Sequence, residues 1–236
     1  AASNTATVVY DTFDPTVVVS PDGQVTASSS IEYTLSFSEN VSGLLETDLD
    51  VTNGTVDVGT LQTADDMVFT VSVTADAAGD VVLFVPVGVA EDLSGNLSVS
   101  SNVASITYDP VLPSPSVSSG TAFSNSAPIA FTVDFGEEVS GVDEADFDVI
   151  NGTVDASSLT TGDNISYTIE VTPAGQGDVS VSLGVDVAQD SASNGNAASN
   201  TATVVYDTDA PSPSVSSGAA FSNSAPIAFT VDFGEE

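Results

Sequence analysis

A 98-residue repeat governs what this chain can fold into. The string AASNTATVVYDT occupies residues 1–12 and returns unchanged at residues 197–208, an offset of 196, or twice 98. At the single offset of 98, residues 113–138 (PSPSVSSGTAFSNSAPIAFTVDFGEE) match residues 211–236 with one difference, Thr121 against Ala219. The same offset carries Val41-Ser42-Gly43 onto Val139-Ser140-Gly141, Asn53 to Asp57 onto Asn151 to Asp155, and Tyr108-Asp109 onto Tyr206-Asp207, without a gap. Self-similarity at a fixed period marks a tandem array of one structural unit. The expected division is residues 1–12 as the last strand of a preceding repeat, 13–109 and 110–208 as two whole repeats, and 209–236 as the first strands of a following one. The protein is therefore expected to be longer than these residues. Lending residues 1–12 to the unfinished repeat of another molecule would still leave its middle strands missing, so a longer array is the better account.

Within a repeat the apolar residues alternate. Ile129, Phe131, Val133 and Phe135 are separated by Ala130, Thr132 and Asp134, and Ile31, Tyr33, Leu35 and Phe37 repeat the pattern. It returns at Ile165, Tyr167, Ile169 and Val171, at Val179, Val181 and Leu183, and at Val204 and Tyr206. Period two is the signature of a strand buried on one face. Each run is bounded by Gly, Asn, Asp or Pro, and no segment has the helical period. The fold class expected is all-β: tandem immunoglobulin-like antiparallel β-sandwich repeats of about 98 residues. With 41% of residues hydrophobic, the chain has enough β-branched and aromatic material to build cores, which argues against disorder.

Charge is the second constraint. Thirty-four Asp and Glu stand against no Lys, Arg or His, so no carboxylate has a basic side chain to pair with and counter-cations must come from solvent. Such a chain repels phosphate backbones and anionic headgroups, and neither nucleic acid nor direct membrane contact is expected as a partner. The absence of Cys removes disulfides, thiol nucleophiles and thiolate metal sites. No run of about 18 apolar residues is present, and residues 1–12 have no basic segment followed by an apolar one, so an export signal or anchor is expected outside this sequence. Without His, the abundant Ser has no base to activate it. Paired carboxylates could suggest glycoside hydrolysis, but the same acids recur in every copy, which suits a periodic structural role better than one active site. No enzymatic activity is expected.

The segment FTVDFGEEVSGVDEADFDVINGTV, followed by VAQDSASNGNAASNTATVVYD, resembles the bacterial Ig-like repeats of giant secreted and cell-surface adhesins. The marks are the F-x-E-x-V-x-G turn, the D-F-x-V-x-N-G-T-V strand pair and the D-x-x-x-N…S-N…Y-D ending, and the likeness covers essentially the whole chain. It implies an extracellular or cell-surface stalk or spacer, often calcium-dependent, and says little about a target ligand.

In immunoglobulin strand order, the loops after the second and sixth strands lie at the pole where the chain enters. In the second repeat the early loop carries Glu137, Glu138, Asp143 and Glu144, the late loop Asp186 and Asp190, and the preceding linker Asp109. The first repeat offers Glu39, Glu46 and Asp92 with linker residues Asp11 and Asp14, and the next boundary offers Asp207, Asp209, Glu235 and Glu236. Ca²⁺ takes roughly six to eight oxygen ligands in irregular geometry, so such loops could share one ion. A second metal reading pairs Asp48 with Asp50 and Asp146 with Asp148, two apart at expected strand starts. Against both stands the alternative that an acidic surface keeps the protein soluble and that Asp serves turns.

Asn53, Asn96, Asn151 and Asn164 each begin an Asn-X-Ser/Thr triplet, although Asn-Gly-Thr reads first as a turn. The prolines at 15, 113 and 115 favour a semi-rigid, extended connection. The leading expectation is an adhesin stalk whose partners are neighbouring repeats and whose junctions bind calcium. The alternative is a subunit of a self-assembling extracellular filament or surface layer, with like chains as partners. Carbohydrate binding is weaker, since the chain has no Trp.

Overall fold

A computed structural model describes residues 6–234. The period-two runs form strands, and the chain is almost entirely β, as the alternation requires. Within the described residues it divides into two compact units. One runs through Ser114 and includes Phe135–Val142 and Val185–Ala197. The other comprises Pro115–Asp134, Asp143–Gly184 and the residues from Ala198 onward.

The first unit holds β1 (Val17–Ser20), β2 (Gln24–Thr26), β3 (Ser30–Phe37), β4 (Asp50–Thr52), β5 (Gly54–Val56), β6 (Gln62–Thr63), β7 (Val68–Ala75), β8 (Gly79–Phe84) and β9 (Ala104–Tyr108). They make two sheets, ordered β1-β3-β7-β5 with β6 also on β7, and β2-β9-β8-β4. All pairs are antiparallel except β2 with β9. Inward residues of both sheets, among them Val19, Tyr33, Leu35, Val71, Val73, Val81 and Leu83, form one buried cluster. The Tyr33 hydroxyl crosses it to donate to the Val81 carbonyl at 2.9 Å. Burial, aided by the nearby Asp22 charge, pushes that hydroxyl up to about 12.

The second unit repeats the plan with β10 (Ser116–Ser119), β11 (Phe123–Ser124), β12 (Ile129–Asp134), β13 (Phe147–Ile150), β14 (Gly152–Val154), β15 (Thr160–Thr161), β16 (Ser166–Pro173), β17 (Gly177–Leu183) and β18 (Ala202–Tyr206). Its sheets run β10-β12-β16-β14 with β15 on β16, and β11-β18-β17-β13. Phe131, Val133, Ile169, Val171, Val179, Val181 and Val204 are buried, while Ala130, Asp134 and Glu170 face out, so each alternation becomes an inside and an outside. A further hairpin pairs β19 (Ser214–Ser217) with β20 (Phe229–Asp232). Residues 6–16 carry no strand, and residues 1–5 and 235–236 of the outer segments lie outside the described residues.

The Asn-Gly pairs act as turns in both units. Asn53 and Asn151 each have φ of 56°, and a Cβ on the glycine that follows would lie 2.8 Å from Val73 or Val171 Cγ1. Only glycine lets the turn lie against the sheet this closely.

One expectation about strands is corrected. Asp48 and Asp146 do not begin strands but end single 3-10 turns, Glu46–Asp48 and Glu144–Asp146. Their carboxylates accept the Leu45 and Asp143 amides at 2.9 and 2.6 Å, because the first amides of a helical turn have no backbone partner. Only Asp50 and Asp148 lie in strands, so neither pair shares a strand face.

Candidate metal centre

Two loops meet at the N-terminal pole of each repeat because the backbone staples them. Ser42 and Glu91 exchange both amide–carbonyl hydrogen bonds, Ser42 N to Glu91 O at 2.8 Å and Glu91 N to Ser42 O at 3.0 Å. Ser140 and Gln189 do the same at 2.8 and 2.9 Å. The late loop closes on itself, with Asp92 N donating to Asn96 O at 3.0 Å and Ser98 N to Ala90 O at 2.8 Å. The incoming chain is held by Val99 N to Pro15 O, or Ala197 N to Pro113 O, each at 2.9 Å.

These staples bring three carboxylates together twice. Asp11, Glu39 and Asp92 each place one oxygen within 4.8 Å of the others, and Asp109, Glu137 and Asp190 do the same 98 residues later. Among the described residues these are the two groups with that geometry, and all six residues lie in the first compact unit. Asp92 and Asp190 are the buried members, 6% and 8% exposed, and the other four are half-buried.

The buried carboxylates are fixed by donors from their own loops. Asp92 Oδ1 accepts the Ser94 and Asn96 amides, each at 2.8 Å, and Oδ2 accepts Asn96 Nδ2 at 2.8 Å. Asp190 Oδ1 accepts the Ala192 and Asn194 amides, each at 2.8 Å, and Oδ2 accepts Asn194 Nδ2 at 2.9 Å. Burial works against the charge of Asp92, but the Asn96 side chain and the amides of Asn96, Ser94 and Gly95 outweigh it and hold the carboxyl below its ordinary range. Glu39 and Glu137 go the other way. Desolvation raises both, and like charge raises them further, from Asp11 and Asp92 in one case and from Asp190 and Asp109 in the other. In the first cluster an acid held in its charged form by its own loop, Asp92, thus stands beside one, Glu39, whose charge is opposed first by burial and then by its acidic neighbours.

The asparagine of each late loop has a second task. Asn96 Nδ2 also donates to the Asp11 carbonyl at 3.3 Å, and Asn194 Nδ2 to the Asp109 carbonyl at 2.9 Å. It pins the incoming chain onto the buried carboxylate. Sequence reasoning about acids passed over these amides, although the D-x-x-x-N spacing that holds them was visible. Asp11, Asp109 and Asp207 each shape the chain that follows them. Their Oδ1 atoms accept the amides of Phe13, Val111 and Asp209 at 3.0, 3.0 and 2.9 Å.

The remaining sequence candidates sit elsewhere. Glu46 Oε1 accepts the Gly59 and Leu61 amides at 2.7 and 3.1 Å, fastening a neighbouring loop, and Glu144 Oε1 accepts the Leu159 amide at 3.3 Å. Asp143 caps its 3-10 turn through the Glu144 amide at 2.6 Å. Asp14, Glu138, Asp186, Asp207 and Asp209 are exposed and outside both clusters. Glu235 and Glu236 lie outside the described residues.

The donor set suits a hard cation. Three carboxylates offer up to six oxygens with no nitrogen or sulfur among them, and carbonyls or water can complete the six to eight that Ca²⁺ takes at roughly 2.3–2.6 Å. The raised pKa values of Glu39 and Glu137 come first from burial and second from the like charge of their neighbours, and a divalent ion would relieve the second.

A sequence profile described as "Bacterial Ig-like domain" matches residues 11–108 and again residues 109–206. These bounds put Asp11 with Glu39 and Asp92 in one domain, and Asp109 with Glu137 and Asp190 in the next. Comparison with curated proteins gives no match. Among solved structures, the chain is similar to invasin, a bacterial integrin-binding protein, with 16% identity and a TM-score of 0.39 over 86% of this chain and 41% of that one. It is also similar to the D00-D0 domain of intimin, with 14% identity and a TM-score of 0.40 over 80% and 99%. A third likeness is to the Yersinia pseudotuberculosis adhesin InvE, with 16% identity and a TM-score of 0.29 over 82% and 58%. The chain thus spans less than half of the invasin chain and just over half of the InvE chain.

Proposed function

Since the chain belongs to the bacterial Ig-like domain family through two consecutive domains, we propose that it is a structural stalk or spacer of a bacterial extracellular adhesin, stiffened by calcium at the head of each domain. The observation that carries this reading is the carboxylate trio recurring at the repeat period in a chain with no basic side chain. An ion bound by Asp109, Glu137 and Asp190 would tie the residue that directly follows β9 to two loops of the next domain. The chain's freedom to swing at that point would fall accordingly. No residue of either trio needs to do chemistry for this, and the reading is non-enzymatic. Extracellular calcium modules bind at about 10⁻⁴ to 10⁻³ M, which places switching between the ion levels of cytosol and outside media.

Calcium titration of the chain at constant ionic strength tests the proposal, with calorimetry and small-angle scattering as readouts. A saturable rise in melting temperature and in maximum dimension, both lost in Asp92→Ala with Asp190→Ala, is expected. A response no larger than that to an equal ionic strength of sodium chloride would reduce the acids to a solvating coat and redirect the question to lateral assembly of like chains.

A further inference from the structure

The two repeats place the same asparagine in the same loop but follow it with different residues: Asn96 precedes Leu97, and Asn194 precedes Gly195. We propose that Asn194 is a site of spontaneous deamidation, and that its conversion undoes the pin holding the Asp109 segment in the second repeat while the first repeat keeps its own.

The chemistry needs only water. The backbone nitrogen of Gly195 attacks Asn194 Cγ, the Cγ–Nδ2 bond breaks and ammonia leaves, giving a five-membered succinimide. Water then opens either ring carbonyl, yielding aspartate or isoaspartate. The net change is amide plus water to carboxylate plus ammonium, with no oxidant or cofactor. Asparagine is among the thermally labile residues, and a glycine after it presents no side chain to hinder the attacking nitrogen. Leu97 supplies that hindrance in the first repeat.

The structure also shows why glycine stands at 195. A Cβ there would collide with the Asp186 carboxylate. In the first repeat the equivalent pair is reversed in bulk, with Gly88 beneath Leu97 and its Cδ1 3.8 Å from where a Cβ on Gly88 would lie. Asp186 and Gly195 therefore form a matched exchange for Gly88 and Leu97, and the labile dipeptide comes with it.

The consequence follows from what Asn194 Nδ2 does. It donates to Asp190 Oδ2 and to the Asp109 carbonyl, each at 2.9 Å. Aspartate at 194 can donate neither bond and sets a further negative charge against Asp190, itself 8% exposed. Isoaspartate would add a methylene to the backbone of a loop that closes through Asp190 N to Asn194 O at 3.2 Å and Asn196 N to Ala188 O at 3.0 Å. Asn53-Gly54 and Asn151-Gly152 are also Asn-Gly pairs, but they are alike in both repeats and so calibrate the rate without distinguishing one repeat from the other.

The test is incubation of the chain in warm, mildly alkaline, chelator-containing buffer, followed by peptide mapping by mass spectrometry. This reads the chemistry whether or not calcium is ever bound. Conversion at Asn194 is expected several-fold faster than at Asn96, and Asp186→Gly with Gly195→Leu is expected to slow it to the Asn96 rate. Equal rates at Asn194 and Asn96 would overturn the proposal. The aged protein and Asn194→Asp are each expected to melt at lower temperature than the fresh chain in chelator. An unchanged melting temperature in both would overturn the pin.

Discussion

Residues 113–134 and 211–232 differ only at Thr121 and Ala219, and both fold back on themselves in the same register. Val117 faces Val133 and Ser119 faces Phe131 in one, as Val215 faces Val231 and Ser217 faces Phe229 in the other. Burial separates them. Phe131 and Val133 are fully buried, whereas Phe229 is 65% exposed and Val231 52% exposed. In the second repeat β12 is joined on its other edge by β16, and the segment just before β18 supplies Asn200, whose side chain both accepts from Val117 N and donates to Val117 O, at 2.9 and 2.8 Å. The hairpin is thus written locally, in the turn and the alternation. The core is supplied by strands distant in sequence, and a two-stranded ribbon alone is marginal in water.

The sharpest way to break this contrast is to truncate the same aromatic in each copy. Phe131→Ala is expected to cost about 3–5 kcal/mol, the usual range for emptying a packed phenylalanine site. In the 236-residue chain, Phe229→Ala should stay within about 0.5 kcal/mol, as at exposed positions. Denaturant unfolding of the two variants reads both. Similar losses would mean that the second hairpin is buried in solution, and hydrogen exchange across β19 and β20 would then be as slow as across β10 and β12.

A smaller effect isolates the side-chain clamp from the core. Asn200→Ala removes two hydrogen bonds to Val117 without emptying the sandwich, and at about 0.5–1.5 kcal/mol each a loss of about 1–3 kcal/mol is expected in the same measurement. Exchange at the Val117 amide should speed up while that at Val215 does not change. If Val117 keeps its protection, pairing with β12 alone holds β10.

The long strands were legible in the sequence because they are half-buried: Ile31 to Phe37 and Ile129 to Val133 alternate in chemistry as they alternate in exposure. The short parallel strands were not. Gln24–Thr26 and Phe123–Ser124 attach to β9 and β18 by backbone bonds and bury little of themselves, so their side chains carry no period. The site divides in the same way. Glu39, Asp92, Glu137 and Asp190 could be placed at one pole because the repeat and the strand order put them there. Glu46 and Asp143 could not be separated from them by chemistry alone, since any carboxylate near unpaired turn amides will be drawn to those amides instead. The asparagine pins were hidden by being neutral, although geometry gives them as much to hold as the acids.

Glu137 belongs to the buried member of the twinned stretches, and its counterpart Glu235 lies outside the described residues. Desolvation and the charges of Asp190 and Asp109 raise its pKa above the ordinary 4.5, so the native state takes up its proton at higher pH than the unfolded chain does. A raised acid costs stability while it is ionised in the fold, and the cost disappears as pH falls through the raised value toward 4.5. In chelator, the melting temperature should therefore rise as pH is lowered through that window. Glu137→Gln should melt higher than the parent above it and converge with it below. The lowered Asp65 and Asp163 act in the opposite sense, but at lower pH: the support from their bonded backbone amides lasts until they are protonated below the ordinary 3.8. The profile should consequently show a maximum rather than a steady climb. With calcium present the sign at Glu137 should reverse, because the ligand charge that burdens the empty cluster is what holds the ion. A Glu137→Gln variant that gains stability in chelator and keeps the gain in saturating calcium would show that the trio repels itself without ever binding one.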